Sequence, residues 1–337
     1  MHGAGVRRCL TAVGFLFAGT LGGQNPPRDT LAPHRVDGRV LRGTAAGERG
    51  VPSQRVVLHR VATDSAGPLD STRTGPDGRF RFSYRARDDD AMYIASTSFS
   101  GVTYFTAPLR GSVVSGADAE IVVFDTSSRP ISLTVRGRHL VVETPSVAGA
   151  RRAIEVFEIA NDTSVTRVAG AGGAATWSID LPIGAVSPEV RQGDVPAEAV
   201  RFSNGVASVY APFSPGLKQL VLAYELPRAA FPLTIPMRVG ANVLEILLEE
   251  EGATVLGDRL QRKDPVTLEG RTYRRFLGQD VPAGADVRLI APPPSAPAPL
   301  PPVVIVLVAA VFLALGVATG RRRAGLPGVL ESRASGR

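Results

Sequence analysis

Cysteine is almost absent. Cys9 is the only one in 337 residues, and it lies ahead of a short apolar stretch near the N-terminus. With one thiol the chain can form no disulfide, zinc–thiolate site, iron–sulfur cluster or C-x-x-C-H haem attachment. Histidine is scarce too, with four in the chain, and no two of them stand in an H-E-x-x-H arrangement. The G-x-S-x-G nucleophile elbow and the glycine-rich phosphate loops G-x-x-x-x-G-K and G-x-G-x-x-G are missing. Aromatic residues make up 6%, with a single tryptophan. Heptads, a G-X-Y period and repeated apolar spans are also lacking, which excludes a coiled coil, a collagen and a polytopic membrane protein.

Basic charge is lacking where a nucleic-acid partner would need it. Of the formal net +7, Arg7 and Arg8 contribute two charges, and the last 17 residues contribute four (five arginines against Glu331), which leaves +1 for the body. A nucleic-acid binder carries a basic stripe on its folded domain, so the expectation is no nucleic acid.

What is present is a pair of membrane signals. Residues 1–23 read as a signal peptide: Arg7 and Arg8 form the basic region, Leu10 to Leu21 the apolar stretch, and Gly22 and Gly23 the small residues before a polar, Pro-bearing continuation. The competing reading is an uncleaved N-terminal anchor. Near the other end, Val303 to Thr319 is uncharged and apolar throughout, and 303–320 approaches the ~20 residues that a ~30 Å hydrocarbon core requires. Arg321, Arg322 and Arg323 follow at once as a stop-transfer cluster, which keeps the tail 321–337 on the cytoplasmic side. The expectation is a single-pass protein of the cell membrane, in contact with membrane lipid. Its body lies outside the cytoplasm, periplasmic or at the cell surface. A buried core helix and a sorting signal cut during surface attachment are the competing readings of 303–320.

Residues 291–302 hold seven prolines in twelve positions. Such a stretch is extended and stiff and reads as a spacer that lifts the body off the membrane.

Between these ends the pattern has period two. Phe80, Phe82 and Tyr84 alternate with Arg79, Arg81 and Ser83, and Leu220, Leu222, Tyr224 and Leu226 alternate with Gln219, Val221, Ala223 and Glu225. Successive side chains of a strand face opposite sides, so this is the signature of half-buried strands. Further strand runs are Val56–Val61, Tyr93–Thr97, Ile121–Phe124, His139–Val142 and Ile154–Ile159. Turns fall at Gly75-Pro76-Asp77-Gly78, Asn204-Gly205 and Ser214-Pro215-Gly216. Val243 to Glu251 fits either a helix or a strand, and its Leu244, Ile246 and Leu248 favour the strand. The predicted fold class is all-β, with two or three β-sandwich units followed by the spacer and one transmembrane helix. A composition shift at 127–130 separates a first segment, 35–127, from a second β-rich region, 130–290, which is one unit or two split near 238.

In the first segment Val36-Asp37-Gly38-Arg39-Val40 fits an opening I-x-G-x-V strand, and Gly50-Val51-Pro52 with Val56 and Leu58 fits G-x-P-(x)-V-x-L. Thr74-Gly75-Pro76-Asp77-Gly78-Arg79-Phe80-Arg81-Phe82 fits T-D-x-x-G-x-F-x-F, with Gly75 where an Asp is usual, and Tyr93-Ile94-Ala95 fits the next strand. In this order the residues resemble the carboxypeptidase regulatory-like domain, a seven-stranded transthyretin-like sandwich, over about a quarter of the chain. The resemblance implies an accessory or adhesion-like module, and it does not imply peptidase activity. Some related sandwiches bind carbohydrate. Read physically, the same residues place Phe80 and Phe82 in a core faced by Val40, Val56 and Leu58, and Asp77-Gly78 in a tight turn with positive φ at the glycine.

The candidate contact residues are aromatic. Phe99, Tyr104 and Phe105 cluster around Gly101, and with Trp177 and Tyr210 they supply rings that stack on sugars or dock a partner when exposed. The plainer reading makes 102–105 another strand, with Tyr104 at the surface and Phe105 inside. His139 and Glu143 are a weak metal pair, Asp88-Asp89-Asp90 lacks the alternation of a calcium loop, and Gly170 to Gly173 read as a loop. Asn161-Asp162-Thr163 has the pattern of a glycosylation sequon. No catalytic residue, metal site or cofactor is expected. The functional expectation is a non-catalytic binding or scaffolding role at the outer face of the membrane, with an envelope protein or polysaccharide as partner. A carbohydrate-binding module is the alternative, and an enzyme with its site in the second β-rich region is the minor one.

Overall fold

The computed structural model describes residues 31–86, 91–170 and 172–292. The signal-peptide segment, Asp88 to Asp90, the transmembrane run 303–320 and Arg321, Arg322 and Arg323 lie outside these residues. Among the described residues no helix is long and apolar enough to cross a membrane.

The fold is all-β, as the alternation requires. In chain order the strands are β1 Ala32–Thr44, β2 Gly47–Gly50, β3 Arg55–Val61, β4 Ala66–Arg73, β5 Arg79–Ala86, β6 Met92–Phe99, β7 Val102–Phe105, β8 Val113–Val123, β9 Asp125–Ser127, β10 Thr134–Val142, β11 Arg151–Asn161 and β12 Val165–Arg167. They continue as β13 Trp177–Asp180, β14 Val186–Val190, β15 Val200–Ser203, β16 Val206–Val209, β17 Gly216–Leu226, β18 Leu233–Thr234, β19 Ala241–Leu248, β20 Thr254–Leu256, β21 Leu260–Leu268, β22 Arg271–Val281 and β23 Arg288–Ile290. Two single-turn 3-10 segments, Ala197–Ala199 and Arg228–Ala230, complete the described elements. The ambiguous run from Val243 is strand: Leu244, Ile246 and Leu248 are buried, as its period-two phase demands.

The described chain divides into two compact units. One holds residues up to 138 with 156–180 and 189–222, and the other holds 139–155, 181–188 and the chain from 223 onward. In the first, β1 pairs with β2, β5 and β8, and a second sheet runs β4-β3-β6-β7. Two short assemblies, β9 with β12 and β13-β16-β15, belong to the same unit. The β15–β16 hairpin turns on Asn204 and Gly205, both at positive φ, which matches the right-handed twist of the strands it joins. In the other unit β19, β22 and β21 are antiparallel neighbours within a seven-stranded sheet, and β18, β23 and β20 form a sheet of three.

The core of the two four-stranded sheets of the first unit is a single cluster. Val36, Val40, Val56, Leu58, Phe80, Phe82, Tyr93, Ala95 and Ile121 are all buried in it, so Phe80 and Phe82 meet Val40, Val56 and Leu58 as their alternation predicts. Phe80 and Phe82 pack edge to face, with ring centroids 5.7 Å apart, a geometry that aligns the positive edge of one ring with the negative face of the other.

The turn before β5 locks this core in register. Thr74 is buried, and its hydroxyl donates to Val51 O at 2.6 Å while accepting from Gln54 N at 2.8 Å. Gly78 has φ +83°, and Val40 N donates to its carbonyl at 2.8 Å. A Cβ on Gly78 would lie 2.4 Å from Val40 O, and one on Gly50 would lie 2.1 Å from Asp77 O. Backbone therefore crosses backbone with no volume for a side chain, which is why glycine stands at both positions. Gly50→Ala should lower unfolding stability by about 2–3 kcal/mol through this overlap. Gly67→Ala in β4, where an added Cβ meets nothing within 4 Å, should stay within about 0.5 kcal/mol. Urea denaturation of the two variants separates them.

Candidate functional site

The structure places the four predicted aromatic contacts in different settings. Tyr104 is buried, and its hydroxyl is used twice, with Phe124 O at 3.1 Å and Thr166 Oγ1 at 2.8 Å. Its neighbour Phe105 is 55% exposed. The expected phase of β7 is therefore corrected by one residue: the strand is present, but Tyr104 faces in and Phe105 out. A one-residue shift moves every side chain to the other face, and the two-residue turn at Ser100-Gly101, both at positive φ, sets the phase. Trp177 is also buried, edge to face with Phe157 at 5.5 Å. Tyr210 is half-buried with the Arg201 guanidinium 4.7 Å over its ring, and Phe99 packs partly against the core. Tyr104 and Trp177 being core residues, the four do not form an exposed stacking platform.

The sequon residue Asn161 is a bracket inside the fold. It is 2% exposed. Its amide donates to Val165 O and Phe213 O, both at 2.8 Å, and its carbonyl oxygen accepts from Thr163 N at 3.0 Å and Thr163 Oγ1 at 2.7 Å. All four bonding positions of the side chain are filled, so it has none left for a glycan in the folded state. Asn161→Ala strands these partners and should cost about 2–4 kcal/mol of stability, read by thermal unfolding.

His139 has an acidic neighbour, though a different one from Glu143. His139 Nδ1 lies 2.8 Å from Glu245 Oε2, and Arg275 Nε donates to Glu245 Oε1 at 2.6 Å. Burial raises the Glu245 pKa, but the hydrogen bonds and charges of His139 and Arg275 outweigh it and hold the carboxyl below its usual range. Both oxygens are occupied, so the trio is a charge ladder between strands. No cluster of three or more metal-ligating side chains exists among the described residues. The sign of the pH effect follows from the depressed pKa. Glu245 contributes stability fully above its unfolded pKa and loses it as pH falls through the lower folded value. Glu245→Gln should therefore lower stability at pH 7, by about 1 kcal/mol, and converge on the parent in acid, as measured by denaturation at both pH values.

A site with unmet bonding capacity lies at one end of the core between β1 and β5. His34 and Tyr84 stand directly opposite each other in the β1–β5 register. They continue the inward phase of Val36 and of Phe80 and Phe82. Their ring centroids are 5.4 Å apart, and Tyr93 of β6 closes the group at 5.1 Å from Tyr84 and 6.4 Å from His34. Two polar atoms here, His34 Nδ1 and the Tyr84 hydroxyl, are buried without a hydrogen-bond partner among the described residues. Each such orphan is expensive, about 1–3 kcal/mol. Burial, and after it the neighbouring Tyr93, push the Tyr84 hydroxyl up to about 12, so it is a neutral donor at physiological pH. Beside the pair opens a groove of about 580 Å³ lined by Pro33, His34, Arg35, Tyr84, Arg85 and Val113, among others. On its rim Arg35 is drawn along the strand to Asp37 at 2.6 Å, and Asp37 also takes Arg81 at 2.6 Å. Sequence reasoning registered Tyr84 only as the end of an alternation and His34 only as one of few histidines. The available signal was a polar residue continuing the apolar phase at the end of each of two strands.

No protein-family model matches the chain, and no curated protein matches it.

Proposed function

We propose that this is an exported β-protein, held at the outer face of a membrane by the 303–320 segment, that works by binding rather than by chemistry. In this reading 1–23 is its leader and 321–337 its cytoplasmic tail. The body comprises two or three sandwich units, the first of the carboxypeptidase regulatory-like type. Its ligand is a polar, ring-bearing one: a saccharide unit of an envelope polysaccharide, seated in the groove beside His34 and Tyr84. The observation that carries this reading is the pair of unpartnered polar atoms set among three rings. A sugar offers apolar C–H faces to stack on rings and hydroxyls to satisfy both a hydroxyl donor and an imidazole nitrogen. Pockets of this kind join an apolar lining to a few orienting polar groups. Arg85 at the rim suits an acidic polymer.

A protein partner is the second reading, favoured by Phe105, which is exposed on the terminal strand of its sheet. An edge strand with an exposed aromatic is a site for strand addition.

The test is a thermal-shift panel of envelope polysaccharides on the full chain in detergent, with Tyr84→Phe alongside. A true ligand raises the apparent melting temperature by mass action. Tyr84→Phe should keep the stacking surface, weaken binding about 3–10-fold through the lost hydroxyl, and leave the unliganded protein as stable as the parent or more so, because an unsatisfied buried hydroxyl is gone. A loss of unliganded stability in Tyr84→Phe would show that the hydroxyl already has a partner and would remove the basis of the site.

A further inference from the structure

One end of the unit formed by 139–155, 181–188 and the chain from 223 onward gathers five connections. The β10–β11 turn, closed by Ser146 N to Ala150 O at 2.8 Å, reaches Glu249 through Thr144 N at 2.9 Å. Arg151, the first residue of β11, makes a two-pronged ion pair with Glu250 at 2.7 and 2.9 Å and stacks 4.6 Å over the Phe231 ring. The turn at 182–185 packs on the segment before β18, where a Cβ on Gly184 would sit 3.0 Å from Ala230. The β21–β22 hairpin arrives at the same place, with Arg271 3.6 Å from Glu249 and 3.9 Å from Glu143. The chain leaves this end too: a Cβ on Gly252 would lie 3.4 Å from Pro292, the last described residue.

Two of these turns have aliphatic tips: Val147 is fully exposed and Ile183 is 90% exposed. Leu268, the last residue of β21 beside the Glu269-Gly270 turn, is 45% exposed. Turn tips ordinarily take Gly, Asn, Asp or Ser, and isolated exposed aliphatics are unremarkable. Three on one end, where the chain departs toward an apolar run beginning at Val303, call for a common reason. Of the acidic residues around them, Glu250 and Glu249 are tied to Arg151 and Arg271, and Glu251 and Glu269 are exposed in the turns beside them.

We propose that this end faces the lipid bilayer and that Val147 and Ile183, with Leu268 beside them, dip into the headgroup–acyl boundary. The inference rests on the membrane tether of the proposed function and adds to it an orientation of the body. Ten residues separate Pro292, the last described residue, from the apolar run at Val303. Apolar side chains at that depth leave water as a membrane-surface helix does on its apolar face, and an electrically neutral surface suffices.

The experiment uses the full chain carrying Cys9→Ser, with single Val147→Cys, Ile183→Cys or Ala283→Cys substitutions bearing an environment-sensitive fluorophore. Ala283 follows the opposite end of β22 and serves as the aqueous reference. The protein is reconstituted in phosphatidylcholine vesicles containing a lipid with a quencher on its acyl chain, then washed at alkaline pH. The expected result is a blue-shifted emission with several-fold stronger quenching at 147 and 183 than at 283. Retention of the chain with all three labels equally aqueous would overturn the orientation and leave the tether standing, with an upright spacer or a protein partner on this end. Release of the chain by the wash would overturn the tether itself and the orientation with it.

Discussion

Where the backbone at Gly78 passes Val40 and Gly50, three segments meet with no room for a β-carbon. The crossing brings β1, β2 and the turn before β5 within hydrogen-bond range, and Val40 is shared by both contacts, donating to Gly78 O and accepting from Val51 N. Register follows from it. With Val40 fixed, Val36 and His34 take the inward phase on β1, and Phe80, Phe82 and Tyr84 take it on β5. The sheet can slip by one residue only by breaking this knot, and a slip would send both phenylalanines to solvent. The core cluster and the groove at its end both depend on that registration.

Buried polar groups divide into two kinds. Thr74 both donates to and accepts from backbone, and Asn161 has all four bonding positions filled, and they act as pins between segments apart in sequence. His34 Nδ1 and the Tyr84 hydroxyl are buried without partners among the described residues. A low-dielectric interior penalises such groups heavily, so a fold that keeps two of them side by side among rings holds a local free-energy deficit that a suitable ligand can relieve. This contrast, rather than ring count, distinguishes the groove from Tyr104 and Trp177. Those rings are large and aromatic but already packed and, for Tyr104, already bonded.

The ion pairs serve a third purpose. Arg35 and Arg81 converge on Asp37, and His139 and Arg275 converge on Glu245. In each case one carboxylate is shared by two nitrogen-bearing side chains, and Glu245 on β19 stands between its partners on β10 and β22. Arginine is frequent on these strands without making a bare basic face, consistent with a body whose formal charge is close to balance.

Strand existence, the inward face of β5 and β17, and the Asp77-Gly78 and Asn204-Gly205 turns were legible in the sequence because each is set by neighbours two to four residues apart. Alternation reports which side chains share a face, and a glycine turn reports a positive φ, with no knowledge of the rest of the chain. The same local reading assigned Tyr104 to the surface, because four residues of alternation define a period but leave the phase open. It gave Asn161 only the pattern of a sequon, because three residues carry nothing about Val165 O and Phe213 O closing on the amide. The pairing of His34 with Tyr84 joins residues 50 positions apart, and Glu245 reaches His139 across 106. Only the tertiary structure could decide those, since hydrogen-bond satisfaction belongs to whichever groups the fold brings within about 3 Å.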